Sequence, residues 1–212
     1  MNIILTSVEA ELAKAWQRFC GDLDFVTVHH GSIFDLSCDA VVSPANSFGF
    51  MDGGIDMLYS QFFGWHVQER LQERIVDRHH GELLVGAAEI IETDNPDLPF
   101  LIAAPTMRVP TILRDSVNPY LAARAALLLV KHGLFAGGTY EGERVSDYVE
   151  TVAFPGLGTG VGRVDPNTCA HQVRAAIDSA LLGRSVFPGS WADAQQRPQR
   201  LYTDRVYDLQ QD

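Results

Sequence analysis

Short apolar runs rich in β-branched residues alternate along the 212-residue chain with longer stretches whose apolar positions recur every three or four residues. The first pattern predicts buried strands and the second amphipathic helices. Asn2 to Leu5 opens as a strand. Thr6-Ser7-Val8-Glu9 then has the form of a capping box, and Leu12, Ala15, Trp16 and Phe19 give the following helix one apolar face, with Gly21 as its stop. Phe25 to His29 alternates as a second strand. Ala40-Val41-Val42 is a third, ended by Pro44, which cannot donate to a sheet ladder. A helical region runs from Ile55 to about His80, broken by Gly64, and its second piece carries Val67, Leu71 and Ile75 on one face. Leu83–Thr93 and Phe100–Ala104 predict the fourth and fifth strands, on either side of the turn-rich Asp94-Asn95-Pro96-Asp97. Asn118-Pro119 predicts the N-cap and first residue of a very apolar helix to about His132. A polar loop at residues 136–147 leads to a sixth strand, Val149–Phe154. Asp165-Pro166 caps a last helix through Leu182. From Arg184 onward the chain predicts an irregular extension, either packed by Trp191 and Tyr202 or partly mobile.

Strands interleaved with helices imply an α/β fold, a three-layer α/β/α sandwich. In open sheets of this kind ligands gather at the carboxyl ends of the strands. Two glycine-rich turns fall at such ends. Asn46, Ser47, Gly49, Asp52, Gly53 and Gly54 follow the third strand and feed a helix in which Ile55, Leu58, Tyr59 and Phe62 recur at helical spacing. Gly156, Gly158, Gly160 and Gly162 follow the sixth strand and precede a capped helix. A strand, a glycine turn and a helix start together offer backbone N–H groups to an anion. Each residue also has a plainer reading. Asn46 is a common turn former, Asp56 suits a helix's first turn electrostatically, and alternating glycines serve a flexible loop. Gly53 and Gly54 are expected to need unusual dihedrals or close ligand approach, and Gly160 positive dihedrals with room for the ligand.

Asn46, six intervening residues and Gly53-Gly54-Ile55-Asp56 together resemble the N-x6-G-G-[VIL]-D signature of the MacroD-type macrodomains. Val42-Ser43-Pro44-Ala45-Asn46 is similar to that family's V-N-A-A-N strand end. Ala153 to Gly162, AFPGLGTGVG, is similar to its phosphate loop. The resemblance covers residues 1–183 and implies a mixed sheet of about six strands, with 184–212 as an extension packed on the same domain. It implies an ADP-ribose site built from Ser32, Ile33, Ala45, Asn46, Gly53, Gly54, Ile55, Gly156, Gly158, Thr159, Gly160, Val161 and Gly162. Asn46 would fix the distal ribose. Asp56, with Asn46 as its catalytic companion, would orient a water against the anomeric carbon. The implied activity is removal of ADP-ribose from a protein carboxylate or from O-acetyl-ADP-ribose, with no cofactor. A non-catalytic ADP-ribose reader is the alternative. Two departures are visible. Ser32 stands where the family has an adenine-binding aspartate, and Gly162 where it often has an aromatic near the distal ribose.

Arg108, between Pro105 and Pro110, is open to three roles: a ligand phosphate contact, a partner for a neighbouring carboxylate, or a surface arginine. His29-His30 and His79-His80 predict no metal site, because adjacent residues diverge on a strand or a helix. A formal charge of −11 argues against bulk nucleic-acid binding yet permits a small anion held by backbone amides. Three scattered cysteines suggest a reducing compartment, and the absence of a long apolar run argues against a membrane partner; together they make the cytoplasm the expected location.

Overall fold

A computed structural model describes residues 1–207. Its sheet contains β1 (Asn2–Ser7), β2 (Val26–His30), β3 (Ala40–Ser43), β4 (Glu89–Glu92), β5 (Phe100–Ala103) and β6 (Thr151–Phe154). The spatial order is β2-β1-β6-β3-β5-β4. Every neighbouring pair is parallel except β4 with β5, so the sheet is mixed. The helices are α1 (Ala10–Cys20), α2 (Gly54–Phe63), α3 (His66–His79), α4 (Asn118–His132), α5 (Pro166–Ala180) and α6 (Trp191–Gln199).

Side chains of a strand point alternately to the two faces of its sheet, and here both faces are covered. Val42, Ile102, Val152 and Phe154 pack with Trp16 of α1, Leu127 of α4 and Val173 of α5. Val41, Leu101 and Ala153 pack on the other face with Tyr59 of α2 and Leu71 and Ile75 of α3. All four residues of β3 are therefore buried. Full burial of a side chain such as Leu71 contributes about 1.5–3 kcal/mol, and the result is the three-layer α/β/α sandwich. Because β1, β2, β3, β5 and β6 run parallel, the loops that follow them all leave from one sheet edge.

Several local expectations change. Thr6 forms no capping box: its hydroxyl donates to the Gly31 carbonyl at 3.0 Å, tying β1 to the end of β2, and α1 begins at Ala10 without a side-chain cap. Asn118 does not cap α4 either; its amide donates to the Thr106 carbonyl at 2.8 Å and anchors the loop after β5. Leu83–Ala88 is not strand, and β4 starts only at Glu89. The Glu89 carboxylate is buried beneath Arg78 (3.2 Å) and His79 (3.0 Å). The extension is not irregular throughout, since Ser190 caps α6 by accepting from the Asp193 amide at 3.1 Å. Trp191 is 65% exposed and does not pack it; Gln199 is buried instead. Residues 208–212 of the expected extension lie outside the described residues. Gly64, at φ +104°, separates α2 from α3 as expected. Asp165 caps α5 by accepting from Asn167 and Thr168 amides, also as expected.

Candidate functional site

β3 and β6 are adjacent and parallel, so their following turns, 44–53 and 155–163, emerge side by side. The turn after β3 is shaped by Asn46. Its side-chain oxygen accepts from the amides of Phe48 (3.1 Å) and Phe50 (3.3 Å), and its nitrogen donates to the Phe50 carbonyl at 2.7 Å. The side-chain oxygen is thus engaged by its own turn, the plainer of its two readings, while the second N–H of the amide has no acceptor among the described residues and stays available. Ala45 is buried beneath the turn, and a parallel bridge joins Asn46 to Met107 after β5.

Gly53 and Gly54 follow, with Gly54 at φ +56°, a conformation that favours glycine. A side chain added at either glycine would meet only open space. Among the described residues none of the amides of Gly53, Gly54, Ile55 and Asp56 finds an acceptor, as befits the first turn of a helix. Ile55 is half-buried against the α2–α3 core.

The turn after β6 has the same character. Gly158 is held at φ +70°, whereas Gly160 has no positive φ; the conformational demand falls one glycine earlier than expected. Gly160 faces open space, and Val161 is 60% exposed. Thr159 folds its side chain over Gly156, leaving no room for a Cβ there. Gly162 lies against the Gly158 carbonyl and Leu113, which explains glycine where an aromatic was a possibility. Among the described residues the amides of Gly158 to Gly162 donate to no protein acceptor. The loop is held through its carbonyls, with Gly158, Gly160 and Gly162 accepting from Val164 (3.1 Å), Arg163 (3.0 Å) and Leu113 (2.8 Å). Two runs of unspent backbone donors therefore stand at neighbouring strand ends, an arrangement that receives an anion without lysine or arginine.

Asp56 is buried in the first turn of α2, and Ser43, the last residue of β3, donates its hydroxyl to Asp56 Oδ1 at 2.6 Å. Burial pushes the carboxyl from its ordinary value of 3.8 up to about 7, against the opposing pull of the Ser43 hydrogen bond. In the sequence Ser43 stands where the V-N-A-A-N pattern has its first asparagine, a signal that does not reveal its contact with Asp56.

Farther along the same edge, Ser32 accepts from the Phe34 amide at 3.2 Å and caps the 3-10 turn Ile33–Asp35; Ile33 is buried and Asp35 exposed. Arg108 takes the second of its three possible roles. It pairs with Glu82 at 2.5 and 3.3 Å and lies 5.3 Å from the centre of the Phe48 ring. A separate polar cavity of about 580 Å³ lies by β4, α3 and Gly137–Thr139, away from both glycine turns. Four of its charged groups are spent internally, Arg70 on Asp94, Arg74 on the Ala136 carbonyl and Glu92 on Thr139, whereas Glu73 and Asp77 on its wall bond to no described residue.

A family profile described as the macro domain matches residues 42–173, more than half of the chain, from the end of β3 into α5. The chain belongs to the macro domain family. An uncharacterized protein of Aquifex aeolicus is 30% identical over 70% of this macro domain chain and 78% of its own. One of Aeropyrum pernix is 29% identical over 78% of this chain and 74% of its own. Among solved structures, the macrodomain of Mycobacterium tuberculosis DarG is similar at a TM-score of 0.55 and 18% identity, covering 72% of this chain and 90% of that one. An Oceanobacillus iheyensis macrodomain mutant solved with ADP-ribose is similar at 0.55 and 18%, covering 70% and 74%. The same macrodomain with ADP is similar at 0.54 and 19%, covering 70% and 72%.

Proposed function

We propose that this macro domain binds ADP-ribose across the carboxyl ends of β2, β6 and β3 and hydrolyses it from modified protein carboxylates or from O-acetyl-ADP-ribose. The observation that carries the reading is the pair of unspent amide runs, Gly53–Asp56 and Gly158–Gly162, on adjacent loops. Together they suit the two phosphates of a diphosphate. The turn at Ser32 and Ile33 lies toward β2 and suits the adenine, while Asn46 and Asp56 suit the distal ribose. ADP-ribose and ADP in two Oceanobacillus structures support this ligand class. Substitutions solved in that macrodomain, at an asparagine, a glycine and an aspartate, are spaced seven and three residues apart, as Asn46, Gly53 and Asp56 are.

For hydrolysis, Asp56 is the residue on which the reading depends. Its Oδ1 is fixed by Ser43. Oδ2 has no partner among the described residues, and it is not one of the sealed polar atoms, which are Trp16 Nε1 and His29 Nε2. An oxygen so placed can orient a water, while the backbone amides hold the leaving phosphate side in place. The ligand-holding unit is taken as residues 1–183 with 184–212 as its extension, and the compartment as the cytoplasm. Three buried free cysteines support the latter. No described helix is long and apolar enough to cross a membrane.

A non-catalytic reader is the second reading, favoured by the engagement of the Asn46 side-chain oxygen in its own turn. Titration calorimetry with ADP-ribose tests the binding claim. Incubation with a glutamate-linked mono-ADP-ribosylated protein, followed by detection of released ADP-ribose, tests the hydrolase claim. Tight binding without release decides for the reader.

A further inference from the structure

We propose that Ser43 is a positioning residue for Asp56: its hydroxyl holds the carboxylate in one orientation and favours its ionised form, leaving Oδ2 to face the substrate's water. The inference rests on the hydrolase reading above and deepens it. Ser43 is fully buried at the end of β3, and Asp56 is 8% exposed at the start of α2. Thirteen residues of chain separate them, yet the 2.6 Å hydrogen bond closes the turn that contains Asn46, Gly53 and Gly54. A hydroxyl buried at this point has no other acceptor among the described residues, so its proton is committed to Asp56 Oδ1. A hydrogen bond donated to a carboxylate stabilises the charged form and opposes desolvation, which otherwise favours the neutral acid.

Other groups around the carboxylate do not supply this help. Tyr59, one turn along α2, donates to the Val42 carbonyl at 3.1 Å, and burial holds its phenol well above the ordinary range. Cys38, just before β3, has its thiol pushed up to about 12 by burial. Neither carries charge near neutrality, and among the described residues no lysine, arginine or histidine acts on Asp56. Among the described residues Ser43 is thus the one side chain that counters burial.

The test is a carbon-13 NMR titration of the Asp56 side-chain carboxyl in the native protein, Ser43→Ala and Ser43→Cys, with pH–rate profiles for release of ADP-ribose. Cysteine is nearly isosteric but a weak donor, so it preserves packing where alanine removes an atom. Both variants should titrate higher than the native protein, by about one pH unit. The acid limb of kcat/KM should move upward with them, the rates converging again at high pH. Folded variants whose Asp56 titrates as in the native protein would overturn the proposal, whatever their melting temperatures. A native protein that binds ADP-ribose but releases none from substrate overturns the hydrolase reading, and the carboxyl titration still decides on Ser43.

Discussion

Leu113 donates its amide to the Gly162 carbonyl at 2.8 Å, and its side chain fills the space that a side chain at 162 would need. The loop before α4 is therefore the floor of the second glycine turn. The family resemblance had pointed to an aromatic at this place, and the structure shows why a glycine stands there. Adding one atom at 162 collides with backbone, which cannot give as a flexible side chain can. Gly162→Phe should consequently lower the melting temperature and weaken ADP-ribose binding rather than restore a ribose platform. Thermal melts and calorimetry check this; a stable Gly162→Phe protein that binds more tightly would show that the floor yields.

Gly158 and Gly160 separate conformational need from ligand space. Gly158 sits at φ +70° with Leu113 and Val164 close by, so Gly158→Ala should cost about 1–2 kcal/mol of stability. Gly160 has neither constraint. Gly160→Ala should leave the melting curve in place, yet reduce ADP-ribose affinity about tenfold, or 1.4 kcal/mol, because the added methyl stands where the diphosphate is proposed. Unchanged affinity in Gly160→Ala would remove this loop from the site.

The alternation of strands and helices was legible because periodicity reports which face is buried. The Gly64 break and the Asp165 cap were legible because their chemistry is local. The two misread helix caps share a cause: a polar group bonded to something distant in sequence. Asn118 has the makings of a helix cap, but Thr106 takes its amide. Thr6 is spent on Gly31. At β4 the expected strand began too early, at Leu83 rather than Glu89, whose buried carboxylate is covered by Arg78 and His79. In the extension, Pro198 concealed α6, although it sits in the last turn, and Ser190 was the unrecognised start signal. At the site the sequence located both glycine turns. It did not show that Ser43 reaches Asp56, since no spacing rule connects a strand end to a helix thirteen residues on.

Ser32 bears on base recognition. A neutral hydroxyl both donates and accepts, and here its oxygen is already occupied by the Phe34 amide. Discrimination between ADP-ribose and its inosine analogue should therefore be weak, and Ser32→Ala should change that ratio little. Competition titrations with the two ligands measure it. A preference for the adenine form of several hundredfold would require another recognition group, with exposed Asp35 the first to substitute.

Asp56 also makes stability depend on pH. Its folded value of about 7 lies above the ordinary 3.8, so the neutral acid is the form the fold favours. That contribution is complete below about pH 4 and is lost as pH rises through about 7. A rise from 3.8 to about 7 corresponds to about 4 kcal/mol. Asp56→Asn, neutral throughout and able to accept from Ser43, should match the native protein near pH 4 and melt several degrees higher at pH 8. A melting difference that does not vary between those two pH values would place the carboxyl in a more solvated setting.

The separation of catalysis from binding rests on the same side chain. The diphosphate is proposed to be held by backbone amides, all of which Asp56→Ala retains. Asp56→Ala should accordingly keep most ADP-ribose affinity, and removing negative charge beside a diphosphate can only favour the ligand electrostatically. A water-orienting carboxylate contributes about 10²–10⁴-fold in rate, so release of ADP-ribose from a glutamate-modified protein should fall by that factor. A purely structural aspartate predicts a different pattern, with melting temperature and affinity falling together because the Ser43 hydroxyl loses its acceptor. Turnover, calorimetry and melting measured on one preparation distinguish the two. An active native protein whose Asp56→Ala variant retains full turnover would remove Asp56 from the chemistry and leave the amide cradle as the part of the site that stands.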